Sequence, residues 1–188
     1  MSKLIKILLW LAGLTLVLYF VVGPIMKSQT KKHSPEKTVV YEKDNLKIDV
    51  FYCSPAKKDR EIFGSLVPYG EVWRTGANEA STFTTNKDLE VAGETLAAGK
   101  YTLWTIPGEN DWKIIFNNKM YDWGVTITGQ VASREAEYDA LIVNAKASKT
   151  SAIMEDFTIN FSETSPLTTV MTIAWDDVIV PVAIRKKQ

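Results

Sequence analysis

The residues from Ile7 to Met26, ILLWLAGLTLVLYFVVGPIM, hold no group that would be ionised in a bilayer. A run of this length and hydropathy has few ways to fold. At about 1.5 Å per residue, a helix over it spans the roughly 30 Å of lipid hydrocarbon. Trp10 and Tyr19 are placed for the two interfaces, and Pro24 for the point where the helix leaves the membrane. A cleaved secretory signal wants a shorter apolar core of about 7–15 residues and an A-x-A-like site. The stretch after Leu18 offers neither, and no cysteine follows at which a lipid anchor could form. The expectation is a flank over 1–6, an uncleaved single-pass anchor over 7–26, a tether over 27–45 and an exported domain over 46–188. Lys3, Lys6 and the N-terminal amine nearly balance Lys27, Lys31 and Lys32, so the positive-inside rule comes close to a tie. A short N-terminal flank ahead of a large domain favours the extracytoplasmic, periplasmic side for that domain. The basic stretch KSQTKKH reads as a tether near lipid headgroups.

Charge is divided along the chain. All 22 acidic residues follow His33, together with 17 of the 22 Lys and Arg (22 less Lys3, Lys6, Lys27, Lys31 and Lys32), so the exported portion is near −5. It has no basic stripe and no reader motif for nucleic acid. His33 is the only histidine and precedes the domain, which excludes a histidine triad or a His-rich metal site within it. Ser54, Ser65 and Ser81 therefore lack a histidine partner. Asp111, Asp122, Asp176 and Asp177 follow no known metal-ligand spacing. No cofactor, metal or catalytic residue is assigned. Cys53, the only cysteine, ends an apolar alternating segment and reads as buried.

Residues 34–45 are polar, contain Pro35, and read as linker. The rest is long enough for one domain with a real core. Leu46, Ile48, Val50 and Tyr52 alternate with Lys47, Asp49 and Phe51, a period of two that suits a half-buried strand. Further strand-like runs are 81–85, 89–91, 95–96, 101–106, 112–116, 140–147, 153–161, 167–175 and 178–184, with turn signals such as Ala92-Gly93 and Pro107-Gly108. Asp176-Asp177 reads as a hairpin turn, and Ser54-Pro55 as the start of one helical turn. The fold expected is all-β, a single β-sandwich or barrel-like domain of about 8–10 strands behind one transmembrane helix. Its core should include Ile48, Val50, Leu103, Ile115, Ile142, Ile159, Met171, Ile173 and Val180.

Between two strands lies the long segment Ser54 to Ala80, and loops of that length without structure of their own usually have work to do. It mixes apolar anchors with Arg60, Tyr69, Trp73, Arg74, Asn78 and Glu79. Arg74 has a planar fork suited to a carboxylate, phosphate or sulfate, and Arg60 could supply a second contact. A buried Arg–Glu pair that only ties the loop down is the structural alternative. Trp104 and Trp175, at alternating positions, read as core; Trp123-Gly124 is the better candidate for an exposed stacking surface.

The segments Tyr52-Cys53-Ser54-Pro55, Arg60-Glu61-Ile62-Phe63-Gly64, Leu66-Val67-Pro68-Tyr69-Gly70, Val72-Trp73-Arg74-Thr75-Gly76-Ala77-Asn78-Glu79-Ala80, Ala98-Gly99-Lys100-Tyr101, Thr105-Ile106-Pro107-Gly108 and Trp123-Gly124 resemble the bacterial family of domain of unknown function 2911, found chiefly in Bacteroidota. The resemblance runs from about Leu46 to Ile184. It implies export and a β-rich domain, and it carries no activity. Cys53 stands where that family suggests a small polar residue, and the anchor replaces a cleaved signal.

Three functions fit the sequence. The favoured one is an envelope binding module for a small anionic or sugar-like ligand, built from Arg60, Tyr69, Trp73, Arg74, Asn78, Glu79 and Trp123. The second is an envelope hydrolase using Glu79 with a metal or second carboxylate. The third is a structural or interaction domain with no small-molecule site.

Overall fold

The computed structural model describes residues 2–126 and 131–187, so residues 1 and 188 of the boundaries drawn above lie outside it. Two units separate, residues 1–33 and residues 34–188.

The first unit is one helix, Lys3–His33, of 31 residues, with a window of mean hydropathy 2.3 and none of that window buried. It extends beyond the 7–26 span at both ends. An α-helix, α1 (Lys3–Val17), passes through a π-helical turn, Leu18–Val22, into α2 (Gly23–His33). Pro24 explains the widened turn: it has no N–H to give the carbonyl four residues back, and its ring crowds that carbonyl. The Gly23 N–H instead reaches Leu18 O, the longer bond of a π-turn. Ser2 Oγ caps the start by accepting from the Ile5 N–H, and the Thr15 hydroxyl donates to Leu11 O at 2.9 Å. The Ser2 and Thr15 hydroxyls are thus paired within the helix. Its length and hydropathy meet the requirement for a membrane span or for a signal sequence.

The second unit has ten strands: β1 (Glu36–Lys43), β2 (Leu46–Cys53), β3 (Thr82–Thr85), β4 (Leu89–Val91), β5 (Glu94–Leu96), β6 (Gly99–Ile106), β7 (Asp111–Asn117), β8 (Asp139–Lys146), β9 (Ser148–Ser165) and β10 (Thr168–Lys186). They form two antiparallel sheets, ordered β1-β2-β3-β6-β7-β8 and β5-β4-β10-β9. The β4–β5 hairpin leaves the first sheet between β3 and β6 to join the second. One pair of edges is pinned where Lys43 on β1 meets Glu163 on β9 at 2.7 Å and the Tyr41 and Phe161 rings stand 5.7 Å apart. The all-β sandwich-like class is as expected.

The inner faces meet in one core. Leu46, Ile48, Val50 and Tyr52 of β2 face Met171, Ile173, Val180 and Val182 of β10, with Trp112, Ile114 and Phe116 of β7 alongside. At one end five aromatic rings interlock. Phe63 stands edge-on to Trp112 at 5.0 Å, Trp73 edge-on to Phe157 at 5.1 Å, and Trp73 stacks on Trp175 at 6.1 Å. Such pairs each add about 0.5–1.5 kcal/mol beyond the area they bury.

Four expectations are corrected. Residues 36–43 are not linker but β1, paired with β2 along its whole length from Glu36↔Cys53 to Lys43↔Leu46. Its partly buried positions alternate with exposed ones, and polar residues on both faces hide the period. Asp176-Asp177 is not a hairpin turn. β10 runs through it as one strand, kinked at Asp176 (φ 56) where the pairing with β9 shifts register. Lys57 holds that kink by an ion pair to Asp176 at 2.8 Å. No helical turn follows Ser54-Pro55, because Ala56 bridges Asp156 and the Phe157 N–H donates to Pro55 O, which draws this stretch along β9. Ile142 is 47 % exposed, whereas the other eight expected core residues are buried. β8 is an edge strand whose inward set is Leu141, Val143 and Ala145, one residue out of phase with the expectation.

Candidate functional site

The long segment returns to the six-stranded sheet before β3 begins. Trp73 and Thr105 of β6 exchange backbone hydrogen bonds of 2.7 and 2.9 Å, and Ser81 O accepts from the Leu103 N–H at 2.8 Å. Between them, Arg74 to Ala80 leave the strand line and come back, and the Ser81 N–H closes the excursion on Arg74 O at 3.3 Å. Three residues in it have positive φ: Thr75 (56°), Gly76 (148°) and Asn78 (56°). For a β-branched residue such as Thr75 that is a strained conformation. It is held by burial, by a contact with Thr105 Oγ1 at 3.3 Å, and by the Ser81 hydroxyl donating to Thr75 O at 2.7 Å.

Strand alternation splits the neighbours Trp73 and Arg74. Trp73 points between the sheets into the aromatic core, its indole N–H donating to Gly76 O at 3.0 Å. Arg74 lies on the opposite, outer face. There the pairing Glu36↔Cys53, Trp104↔Ile115 and Ile115↔Ile142 draws one row across the sheet. Ala80 falls in the same row when the β3 pairings Phe51↔Thr82 and Thr82↔Thr102 are continued by two residues. Ala80, Trp104 and Ile115 form a small buried cluster with Val72, Ile106, Tyr121 and Ala132 packed on it.

Arg74 is partly buried at the rim of this cluster. One guanidinium nitrogen donates to Trp123 O at 3.3 Å. A Cβ at Gly124 would lie 3.2 Å from Arg74 Cβ and Cδ and 3.0 Å from Ala80 Cβ, so the glycine (φ 73) lets the backbone lie flat along the arginine stem. Burial pulls the Arg74 pKa below its ordinary value, opposed by Cys53 and Glu79. No ion pair to Arg74 forms among the described residues. Glu79 Oε2 instead accepts from the Cys53 thiol at 3.3 Å. Beneath, Trp104 is fully buried, edge-on to Tyr121 at 5.2 Å, and its indole Nε1 has no hydrogen-bond partner among the described residues. Native interiors seldom leave a buried donor unmet.

Burial, with Glu79 beside it, pushes the Cys53 thiol up to about 11. Its folded-state value lies above the unfolded one, so its contribution to stability is complete below about pH 9 and is lost as the pH rises through about 11. The slope approaches about 1.4 kcal/mol per pH unit inside that window. Urea denaturation at pH 8 and pH 10.5 should show the loss, and Cys53→Ser should remove the part due to this group. Equal pH slopes in both proteins would refute it.

The structure gathers Arg74, Glu79 and Trp123 of the sequence-derived set on the outer face. Asn78 is buried and donates to Ser34 O at 3.3 Å, fastening the loop to the start of the domain. Tyr69, 39 % exposed, lays its ring over Gly64. Arg60 turns back on its own segment, donating to Lys57 O at 2.9 Å and Ala56 O at 2.6 Å. Sequence reasoning placed Trp104 in the core and missed Tyr121. The available signal was that Trp104 lies opposite the inward phase of Tyr101 and Leu103 on the same strand. Among the described residues no three His, Cys, Asp or Glu side chains gather as a metal ion would need.

The class is thus a two-sheet antiparallel β domain following an apolar helix, with a partly buried arginine on the outer face of its larger sheet. The family profile described as "Protein of unknown function (DUF2911)" matches residues 34–184, and the chain belongs to that family. The match starts where the folded unit starts. No curated protein and no solved structure matches the chain.

Proposed function

We propose that this protein is a membrane-anchored binding module whose extracytoplasmic domain holds a small anionic or sugar-acid ligand on the outer face of the six-stranded sheet. The helix serves as an uncleaved anchor, with the domain on the extracytoplasmic side. The observation that carries the ligand reading is Arg74: a partly buried guanidinium with one carbonyl contact and no salt bridge among the described residues, with Glu79 near enough only to act through its charge. A carboxylate, sulfate or phosphate fits that fork. Trp104 Nε1, fully buried in the adjoining cluster and without a hydrogen-bond partner among the described residues, becomes a second donor once the side chains packed on it, Tyr121 among them, move aside. Leaving that donor unmet costs about 1–3 kcal/mol, which an incoming acceptor oxygen would offset.

The test is a thermal-shift screen of the full chain in detergent against uronic acids, dicarboxylates and phosphate esters, beside Arg74→Ala and Trp104→Phe. A true ligand stabilises by about 2.7 kcal/mol at a hundredfold excess over its dissociation constant. Both variants should lose that shift while remaining folded. Shifts that persist in Arg74→Ala, or a panel with no shift at all, overturn the reading.

A further inference from the structure

Arg74 and Glu79 stand near the two ends of the excursion between Trp73 and Ser81, and the chain between them is pinned. The Ser81 N–H closes on Arg74 O at 3.3 Å, the Ala77 N–H donates to Cys53 O at 3.3 Å, and the Asn78 side chain donates to Ser34 O at 3.3 Å. The two charges that this segment carries are partly buried and opposite in sign. They form no salt bridge with each other.

Each is turned to a neutral group on its own side. The Arg74 guanidinium donates to Trp123 O at 3.3 Å, its stem lying along the Gly124 backbone. Glu79 Oε2 accepts from the Cys53 thiol at 3.3 Å. The charges nevertheless act on one another: burial lowers the Arg74 pKa, and Cys53 and Glu79 work against that. The Cys53 thiol, pushed up first by burial and then by Glu79, is pushed further by Glu36 at the start of β1. The face is thus positive at Arg74 and negative from Glu79 across Cys53 toward Glu36. Opposite charges near each other and partly out of water gain by pairing. A molecule that bridges them, with a charge for each, recovers that gain.

We infer that the ligand of the Arg74 face is a zwitterion with an ammonium beside its carboxylate, as in an α-amino acid or a 2-amino sugar acid. This rests on Arg74 as the seat of the carboxylate and adds Glu79 as the residue that selects the ammonium. The carboxylate takes the parallel N–H donors of Arg74, and the ammonium donates to the Glu79 carboxylate. A lone carboxylate is repelled by Glu79, a dianion more so, and a lone amine is repelled by Arg74.

Matched pairs that exchange only the ammonium for a hydroxyl read this directly: L-alanine against L-lactate, and D-glucosaminate against D-gluconate. Each is titrated into the full chain in nanodiscs of zwitterionic lipid, followed by saturation-transfer NMR on the ligand protons, with empty discs as blank. In a pair that binds, the ammonium member should be tighter by roughly three- to tenfold, the scale of one partly exposed ion pair. Glu79→Gln keeps the shape and an acceptor for the Cys53 thiol but removes the charge, and it should bring the two members to equal affinity. Arg74→Ala should lose both, with circular dichroism checking that each variant is folded. Hydroxy acids that bind as tightly as the amino acids, or a preference that survives Glu79→Gln, overturn the inference and leave the Arg74 reading standing. No saturable transfer from any of the four, or binding that survives Arg74→Ala, overturns both.

Discussion

Trp175→Ala is expected to lose about 3–5 kcal/mol of folding stability, the scale of truncating a fully packed aromatic. Trp175 is 2 % exposed and touches three rings of the aromatic core, Phe63, Trp73 and Phe157. Its indole N–H also donates to Glu155 O at 3.1 Å, beside the kink of β10 at Asp176. Truncation therefore opens a cavity and removes one of the two hydrogen bonds to Glu155 O, which the Lys57 N–H also reaches at 2.7 Å. Typical domains have about 5–15 kcal/mol in all, so the loss is a large share. Urea denaturation followed by circular dichroism measures it. Ile142→Ala, on the exposed side of edge strand β8, serves as the control and should change stability by about 0.5 kcal/mol or less. A Trp175→Ala midpoint close to that of the control would mean that the rings do not form the core described.

Gly76→Ala should cost about 2 kcal/mol or more, lowering the melting temperature by roughly 4–8 °C. The residue has φ +148, and an added Cβ would stand 2.8 Å from the Cys53 carbonyl oxygen, backbone against backbone. Neither can yield without moving the excursion that carries Arg74. Gly70 also has a positive φ, +78, but open space around it, so Gly70→Ala isolates the conformational part at about 1 kcal/mol. Differential scanning calorimetry of the two variants separates clash from strain. Equal melting temperatures would show that the excursion is pliant, and that Arg74 is not held where it is described.

Much of the fold was legible because burial on one face imposes a period of two. β2 and β6 declare themselves by that rule, and their inward residues were read in the right phase; on β7 the residue expected in the core, Ile115, is buried in the outer-face cluster, while Trp112, Ile114 and Phe116 face inward. β1 was not legible, since Thr38 and Glu42 on one side and Lys37 on the other dilute its pattern to that of a linker. β8 was legible as a strand but not in phase. Ile142 and Val143 are both apolar, and only the pairing of Ile142 with Ile115 on the outer face decides which one is buried. The β10 kink looked like a turn because two adjacent aspartates usually mark one; Lys57, 119 residues away in sequence, makes it a bend within a strand.

The candidate site shows the same division. The sequence marked the 54–80 segment by its length and mixed chemistry, and it singled out Arg74 and Trp123 as residue types suited to binding. It treated Trp73 and Arg74 as one group, although adjacent residues at a strand position face opposite sides. It could not join Trp104 to Ala80, because they meet only through the register of β3 against β6. By itself, then, the sequence determined the apolar N-terminal helix and the all-β class, for which composition and local periodicity are enough, and the family, through its motifs. The tertiary structure alone decided which face of each strand is inside and which donor is left without a partner. Those properties depend on contacts between residues far apart in the chain, and local patterning does not carry them.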